Sequence, residues 1–63
     1  MNSDEFYEKW VVKCWDDGED KKEYFFNSII DAQNKFEDKF LHFENVELYH
    51  YKVNVAQRLW QSK

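Results

Sequence analysis

The chain contains no proline, and Gly18 is its only glycine. The sequence therefore contains no segment typical of a flexible linker, and a glycine-rich phosphate-binding loop is excluded. Cys14 is the single cysteine, so an internal disulfide is excluded as well. With only two histidines beside it, no Cys/His cluster has the spacing of a zinc site. We expect no metal ion and no cofactor.

Long apolar runs are also missing. No segment approaches the roughly 20 apolar residues that a membrane-spanning helix needs, and residues 1–8 are acidic and lack the apolar core of a secretory signal. A lone thiol is typical of a reducing compartment. These features predict a cytoplasmic protein, in the host cytoplasm if the source is a virus, with no membrane partner.

Aromatic residues, in contrast, are abundant. Thirteen of the 63 residues are Phe, Tyr or Trp, and each ring can bury on the order of 150–250 Å². A chain of this length forms one domain that buries only about 60% of its unfolded surface. We therefore expect a single domain over residues 1–63, frayed at residues 1–4 and 62–63, with more aromatic surface than its core needs.

The net charge of −4 is distributed unevenly. Residues 1–31 hold nine acidic and four basic side chains, whereas residues 32–63 hold four acidic and five basic ones. The negative charge is centred on residues 16–23. Such a field repels nucleic acid and favours a basic partner, although acidic residues also serve to keep a small aromatic protein soluble.

One helix is indicated over residues 28–43. Its apolar positions recur at intervals of three or four residues and form one stripe; they are Ile29, Ala32, Phe36, Phe40 and Phe43. Ser28 and Asp31 have the spacing of a capping box. Asp31 and Lys35 have the spacing of an ion pair on the outer side of the helix.

A β-hairpin is indicated before this helix, with a first strand from about residue 6 to residue 15, a second over residues 21–26, and a turn over residues 16–20 that includes Gly18. Lys13 opposite Glu23 brings opposite charges together. A tighter turn would place Lys13 opposite Lys22, which is unfavourable, so we prefer the longer loop.

This register divides the hairpin into two faces. The face predicted to pack under the helix consists of Trp10, Val12, Cys14, Tyr24 and Phe26. The opposite face consists of Val11, Trp15 and Phe25, with Lys9, Lys13, Lys21 and Glu23 around them.

After the helix, residues 46–55 read as a third strand, in which Tyr49 and Tyr51 share one side. Residues 56–63 fit either a short helix capped by Asn54 or further strand as far as Trp60, and strand is preferred because the segment is short for an independent helix. The order β-β-α-β predicts an α+β two-layer domain, a sheet of three or four strands with one helix on one face. The crossover through the helix predicts a third strand parallel to the second, beside it or beside the first.

Catalytic chemistry is not indicated. Cys14, His42 and His50 have no spacing that supports a nucleophile and its base, and we expect no enzyme activity. The acidic side chains of the turn, Asp16, Asp17, Glu19 and Asp20, do not match the spacing of an EF-hand loop. They favour a solvated turn or a contact with a basic groove, as in proteins that imitate the charge of DNA.

Binding is the class of function that the sequence favours. One helix can cover one face of a sheet, which leaves Val11, Trp15 and Phe25 as a docking surface, with the acidic turn as a second contact. The expected partner is another protein, one with a basic surface where it meets the turn. A second copy of the chain is one alternative. Single-stranded nucleic acid stacked on the aromatic face is another, although the acidic turn argues against it.

In size, acidity and lack of catalytic motifs, the chain is similar to the small acidic proteins that phages make to disable host enzymes, such as anti-CRISPR proteins and uracil-DNA glycosylase inhibitors. This similarity implies an inhibitor or modulator of a nucleic-acid-handling host protein. It rests on overall character, and no site residue is carried over from it.

Overall fold

The described part of the protein folds as one helix on a four-stranded sheet. The structure is a computed structural model that describes residues 8–53 and 55–62. Its elements, in chain order, are β1 (Glu8–Trp15), β2 (Lys22–Phe26), α1 (Ile29–Phe40), β3 (Asn45–Lys52) and β4 (Val55–Gln61). Neighbouring strands are antiparallel, in the order β2-β1-β3-β4. The predicted α+β class is confirmed, with four strands in the sheet.

The first hairpin has the predicted register. Lys13 pairs with Glu23, and the Lys13 Nζ lies 3.6 Å from a carboxylate oxygen of Glu23. The loop spans residues 16–21, one residue more than predicted, because β2 begins at Lys22. Gly18 has a φ of 83°, which a residue without a side chain adopts at little cost.

Helix α1 is shorter than predicted at both ends. The prediction of a capping box is wrong, because Ser28 is the N-cap residue but its side chain makes no capping hydrogen bond. The predicted ion pair of Asp31 with Lys35 is also wrong, because the Lys35 Nζ lies 5.0 Å from the ring centroid of Tyr24 instead. After the helix, the amides of His42 and Phe43 both donate to the carbonyl oxygen of Lys39, at 2.9 and 3.0 Å, and the bond from His42 spans three residues, as in a tightened last turn.

The second half of the sheet differs from the prediction of one strand over residues 46–55. Strand β3 ends at Lys52, and the chain turns back into β4. The tail is therefore a strand, as preferred, but a returning one, and the alternative helix does not form. Asn54, the proposed cap of that helix, lies outside the described residues. Strands β2 and β3 run parallel to each other with β1 between them. Strand β3 therefore lies beside the first strand, which is one of the two predicted placements.

The core lies between α1 and one face of the sheet. It is formed by Val12, Cys14, Ala32, Phe36, Val46 and Leu48. Trp10, Tyr24, Phe26 and Phe43 pack around it, so the predicted helix-facing side of the hairpin is confirmed. Two members of the predicted helix stripe, Ile29 and Phe40, lie at the helix ends and are 37% and 48% exposed.

Ser62, which follows β4, is held to the sheet by hydrogen bonds. The backbone amide of Ser62 donates to the carbonyl oxygen of Val46 at 2.8 Å, and the amide of Val46 donates to the Ser62 hydroxyl at 2.9 Å. Residues 1–4 and Lys63, the remaining positions expected to fray, lie outside the described residues.

Val53, in the turn between β3 and β4, has a φ of 57°. A β-branched residue in this left-handed region is strained by about 1–2 kcal/mol, whereas Asn tolerates it. We predict that Val53→Asn raises the free energy of unfolding by about 1 kcal/mol, measured by urea denaturation. Val55→Asn, at an exposed strand position, is the control and should not stabilise. A Val53→Asn protein no more stable than the wild type would contradict the strain.

Candidate interaction surface

The face of the sheet opposite α1, called the open face below, has no described element packed over it. Alternation along the four paired strands determines which side chains it carries. Its aromatic residues are Trp15, Phe25, Tyr49 and Tyr51. Its charged residues are Lys9, Lys13, Lys21, Glu23, Glu47 and Arg58.

One row of this face crosses all four strands and consists of Phe25, Val11, Tyr49 and Arg58. Val11, a predicted docking residue, is 0% exposed between the two rings. Its side chain forms the floor of the surface and does not reach a partner directly. Phe25, also predicted, is 57% exposed and is the most accessible ring of the row that a partner could cover.

Lys13 lies at the centre of the open face. Its Nζ is 4.6 Å from the ring centroid of Tyr49 and 5.7 Å from that of Tyr51, distances that give a favourable cation–π attraction. Hydrogen bonding with the Tyr51 side chain, and then the nearby Glu23 carboxylate, raise the pKa of Lys13 against the opposing effect of partial burial. The ammonium therefore stays charged at any ordinary pH, since its unperturbed pKa is already far above neutrality.

Trp15, the third predicted residue, is half-buried. The Lys21 Nζ lies 4.4 Å from the ring centroid of Trp15. Two cations of the open face, Lys13 and Lys21, are thus held against aromatic rings.

Glu47 fixes two further side chains of the open face. The Tyr49 hydroxyl donates to one Glu47 oxygen at 3.0 Å, and the Arg58 Nη1 lies 3.6 Å from the other. Burial, and then this hydrogen bond, raise the pKa of Tyr49, so the phenol remains neutral. The surface is consequently ordered before any partner arrives.

The open face is basic, although the chain as a whole is acidic. Among the described residues it carries four cations and two carboxylates, a net +2 against −4 for the whole chain. Since opposite charge steers association, this face favours an acidic or otherwise anionic partner. The acidic turn favours a basic partner.

The acidic turn has a structural role that the sequence did not reveal. The amide of Glu44 donates to Asp16 Oδ1 at 3.0 Å, and the amide of Asp17 donates to Glu44 Oε1 at 2.9 Å. Asn45 Nδ2 also donates to Asp17 Oδ1 at 2.9 Å. These bonds join the hairpin loop to the α1–β3 connection.

Two carboxylates of the turn remain for other contacts, because Glu19 and Asp20 are exposed. Within residues 8–53 and 55–62, no three His, Cys, Asp or Glu side chains are grouped closely enough to hold a metal ion.

The three residues considered for nucleophilic chemistry are not brought together. Cys14 is fully buried in the core, and burial raises the pKa of its thiol, which disfavours the reactive thiolate. His42 lies in the turn after α1. The His50 Nε2 lies 2.7 Å from a Glu8 carboxylate oxygen, and the imidazole stacks on Trp10 with ring centroids 4.9 Å apart.

Sequence reasoning identified only part of the open face. The alternation of Tyr49 and Tyr51 in the sequence indicated that the two rings share one side of a strand. It did not indicate that this strand pairs with β1. Glu47 and Arg58 were missed because their proximity depends on the β3–β4 pairing.

Helix α1 has 12 residues, and no helix in the described part of the chain combines the length and the apolarity needed to cross a membrane. Comparison of the chain with protein-family models, curated proteins and solved structures finds no match. Its function is therefore inferred from the geometry of its own residues.

Proposed function

We propose that the protein is a non-enzymatic, cytoplasmic binding module that docks another protein on the open face of its sheet and thereby inhibits or modulates it. The observation that carries the proposal is the pairing of cations with rings on a sheet face that no described element covers: Lys13 with Tyr49 and Lys21 with Trp15. Phe25 stands beside them, more than half exposed.

The composition of the open face supports a protein partner. Tyr, Trp and Arg are the residues most often found at the energetic centres of protein interfaces. Ion pairs and hydrogen bonds already hold Lys13, Tyr49 and Arg58 in place. Little side-chain entropy is then lost on binding, which improves affinity for a given contact area. The net charge of +2 favours an acidic surface on the partner.

The likeness to small phage inhibitors extends the proposal to the kind of target, a nucleic-acid-handling host protein. A target of that kind carries a basic groove. Glu19 and Asp20, the exposed carboxylates of the turn, would meet that groove while the open face contacts an acidic region beside it.

Single-stranded nucleic acid is the second candidate partner, and the charge of the open face favours it. Bases stack on aromatic rings with roughly 1–3 kcal/mol each, and nearby cations neutralise phosphates. Fluorescence anisotropy with a labelled oligothymidine at low salt tests this candidate. Binding that weakens steeply with salt and is lost in Trp15→Ala would support it, and no binding at low salt would end it.

Quantitative capture from a lysate of the cells that produce the protein tests docking on the open face. The baits are the wild type, Phe25→Ser, and Ile30→Ser as a matched control, because Ile30 is equally apolar and exposed but lies on α1. We predict a saturable partner that binds the wild type and Ile30→Ser alike. Loss of an interface-centre ring costs about 2 kcal/mol or more, so Phe25→Ser should bind roughly 30-fold more weakly. Equal recovery on all three baits would contradict docking on this face.

A further inference from the structure

Strand β4 is an edge of the sheet that no other described strand covers. It is the last strand in the order β2-β1-β3-β4, and all seven of its residues, Val55–Gln61, are exposed. Its outer backbone amides and carbonyls have no strand to pair with among the described residues. Such a row is a template for a further strand.

The two edges of the sheet differ in protection. Proteins commonly guard an edge strand with charged residues or proline. Strand β2, the other edge, carries Lys22 and Glu23 among its five residues. Strand β4 carries only Arg58 among its seven, and the chain has no proline. The one irregularity in the pairing of β4 lies between Leu48 and Tyr49, which leaves Val55 to Arg58 in regular register.

An apolar strip runs beside this edge on the helix side of the sheet. Helix α1 packs mainly on β1, β2 and β3, so β4 extends beyond it. Trp60 is 39% and Phe40 48% exposed, although both rings flank the core residue Phe36, with centroids 5.2 and 5.9 Å from its own. Val55 and Leu59 add exposed apolar area along β4 itself.

We propose that the occupant of this edge is a second copy of the chain, with β4 pairing antiparallel to β4 of that copy. Antiparallel pairing of a strand with itself is two-fold symmetric, so one contact removes both unprotected edges and closes the assembly. The product is an eight-stranded sheet with both helices on the same side.

The apolar strip fits this arrangement. With strands about 4.8 Å apart, the two helix axes would be roughly 20 Å apart. Each helix is about 10 Å wide with its side chains, which leaves a cleft of about 10 Å above the β4 seam. Trp60 and Phe40 of both copies would fill that cleft and be removed from water.

The one charged residue of β4, Arg58, would lie near Arg58 of the second copy, but each is paired with Glu47 of its own chain at 3.6 Å, so its charge is compensated. The acidic half of the chain, residues 1–31, carries the net charge of −5, and the turn after β1 belongs to the hairpin on the far side of the sheet. The second half of the chain, which contains β4, has a net charge of +1. The open face stays uncovered in the dimer, so dimerisation and docking can fail independently.

Sedimentation equilibrium of the full chain between about 1 µM and 1 mM tests the dimer. We expect a monomer–dimer equilibrium in the wild type. Introducing like charges across the two-fold axis with Val55→Lys/Leu59→Lys should raise the dissociation constant at least about 100-fold. Ile30→Lys, on the exposed side of α1, should leave it unchanged. A wild type that remains monomeric at 1 mM, or a folded double variant that dimerises normally, would overturn the proposal.

Hydrogen exchange of the wild type at low and high concentration locates the contact without any substitution, so a double variant that fails to fold does not leave the question open. The amides of β4 should become protected as the dimer forms, while those of β2 should not. Protection that appears elsewhere would overturn the proposal. If β4 is instead protected at every concentration, in a monomer that carries an extended peptide from another protein, the dimer would also be overturned, in favour of strand addition by that protein.

Discussion

Replacing Phe36 by alanine is expected to lower the free energy of unfolding by about 3–5 kcal/mol. Phe36 is 8% exposed and lies at the centre of the core, between the rings of Phe40 and Trp60. Removing it leaves a cavity that a short chain cannot easily close. A domain of this size has a total stability of only about 3–9 kcal/mol, so the loss removes between about a third of that stability and all of it.

The matched control is Phe25→Ala, the same substitution on the opposite face of the sheet. Phe25 is 57% exposed and covers Val11 on one side, so we expect a loss of about 1–2 kcal/mol, well below that of Phe36→Ala. Urea denaturation followed by circular dichroism measures both variants. Equal losses in the two would mean that the open face is packed as tightly as the core, which contradicts the assignment of the two faces.

Reversing the charge of Lys13 is expected to lower the free energy of unfolding by about 2 kcal/mol. In the register, Lys13 lies between Glu23 on β2 and Glu47 on β3. Lys13→Glu would place three carboxylates in one row across three strands. It would also remove the cation from the rings of Tyr49 and Tyr51.

Lys13→Met separates carboxylate repulsion from the loss of the cation, because methionine keeps much of the apolar stem and introduces no repulsion. We expect it to lose less than half as much stability as Lys13→Glu. The deficit of Lys13→Glu should shrink when salt is raised from 0.05 to about 1 M, since added ions screen the carboxylate repulsion. A deficit that is independent of salt, or equal in the two variants, would show that packing and not charge determines the effect.

The first hairpin was predictable because separate signals agreed there. Apolar alternation and the opposite charges of Lys13 and Glu23 select one register, and that register is confirmed. The second hairpin was not predictable, because its turn lacks the Asn-Gly or Asp-Gly pair that favours positive φ. Val53 adopts that conformation although its side chain disfavours it.

The candidate surface was predictable only in outline. Periodicity shows that α1 has an apolar stripe, but not that the helix covers β1, β2 and β3 and leaves β4 uncovered. The sequence therefore indicated Phe25 and Trp15 on the open face, but it did not show that Trp60 and Phe40 are exposed beside β4 on the helix side of the sheet. It also gave no sign that Val11 is sealed between its neighbours, because burial of a small residue depends on the rings beside it. The ties of Asp16 and Asp17 join residues 27 or 28 positions apart, beyond the reach of any local pattern.

Hydroxyl-radical footprinting of the isolated chain, at a concentration where it is monomeric, tests the central claim most directly. Mass spectrometry of the peptides compares oxidation of Phe25 and Tyr49 on the open face with that of Phe36 in the core. The structure predicts strong modification of Phe25, intermediate modification of Tyr49 and almost none of Phe36. Protection of Phe25 equal to that of Phe36 would mean that the chain covers this face itself, and the proposed docking surface would not exist.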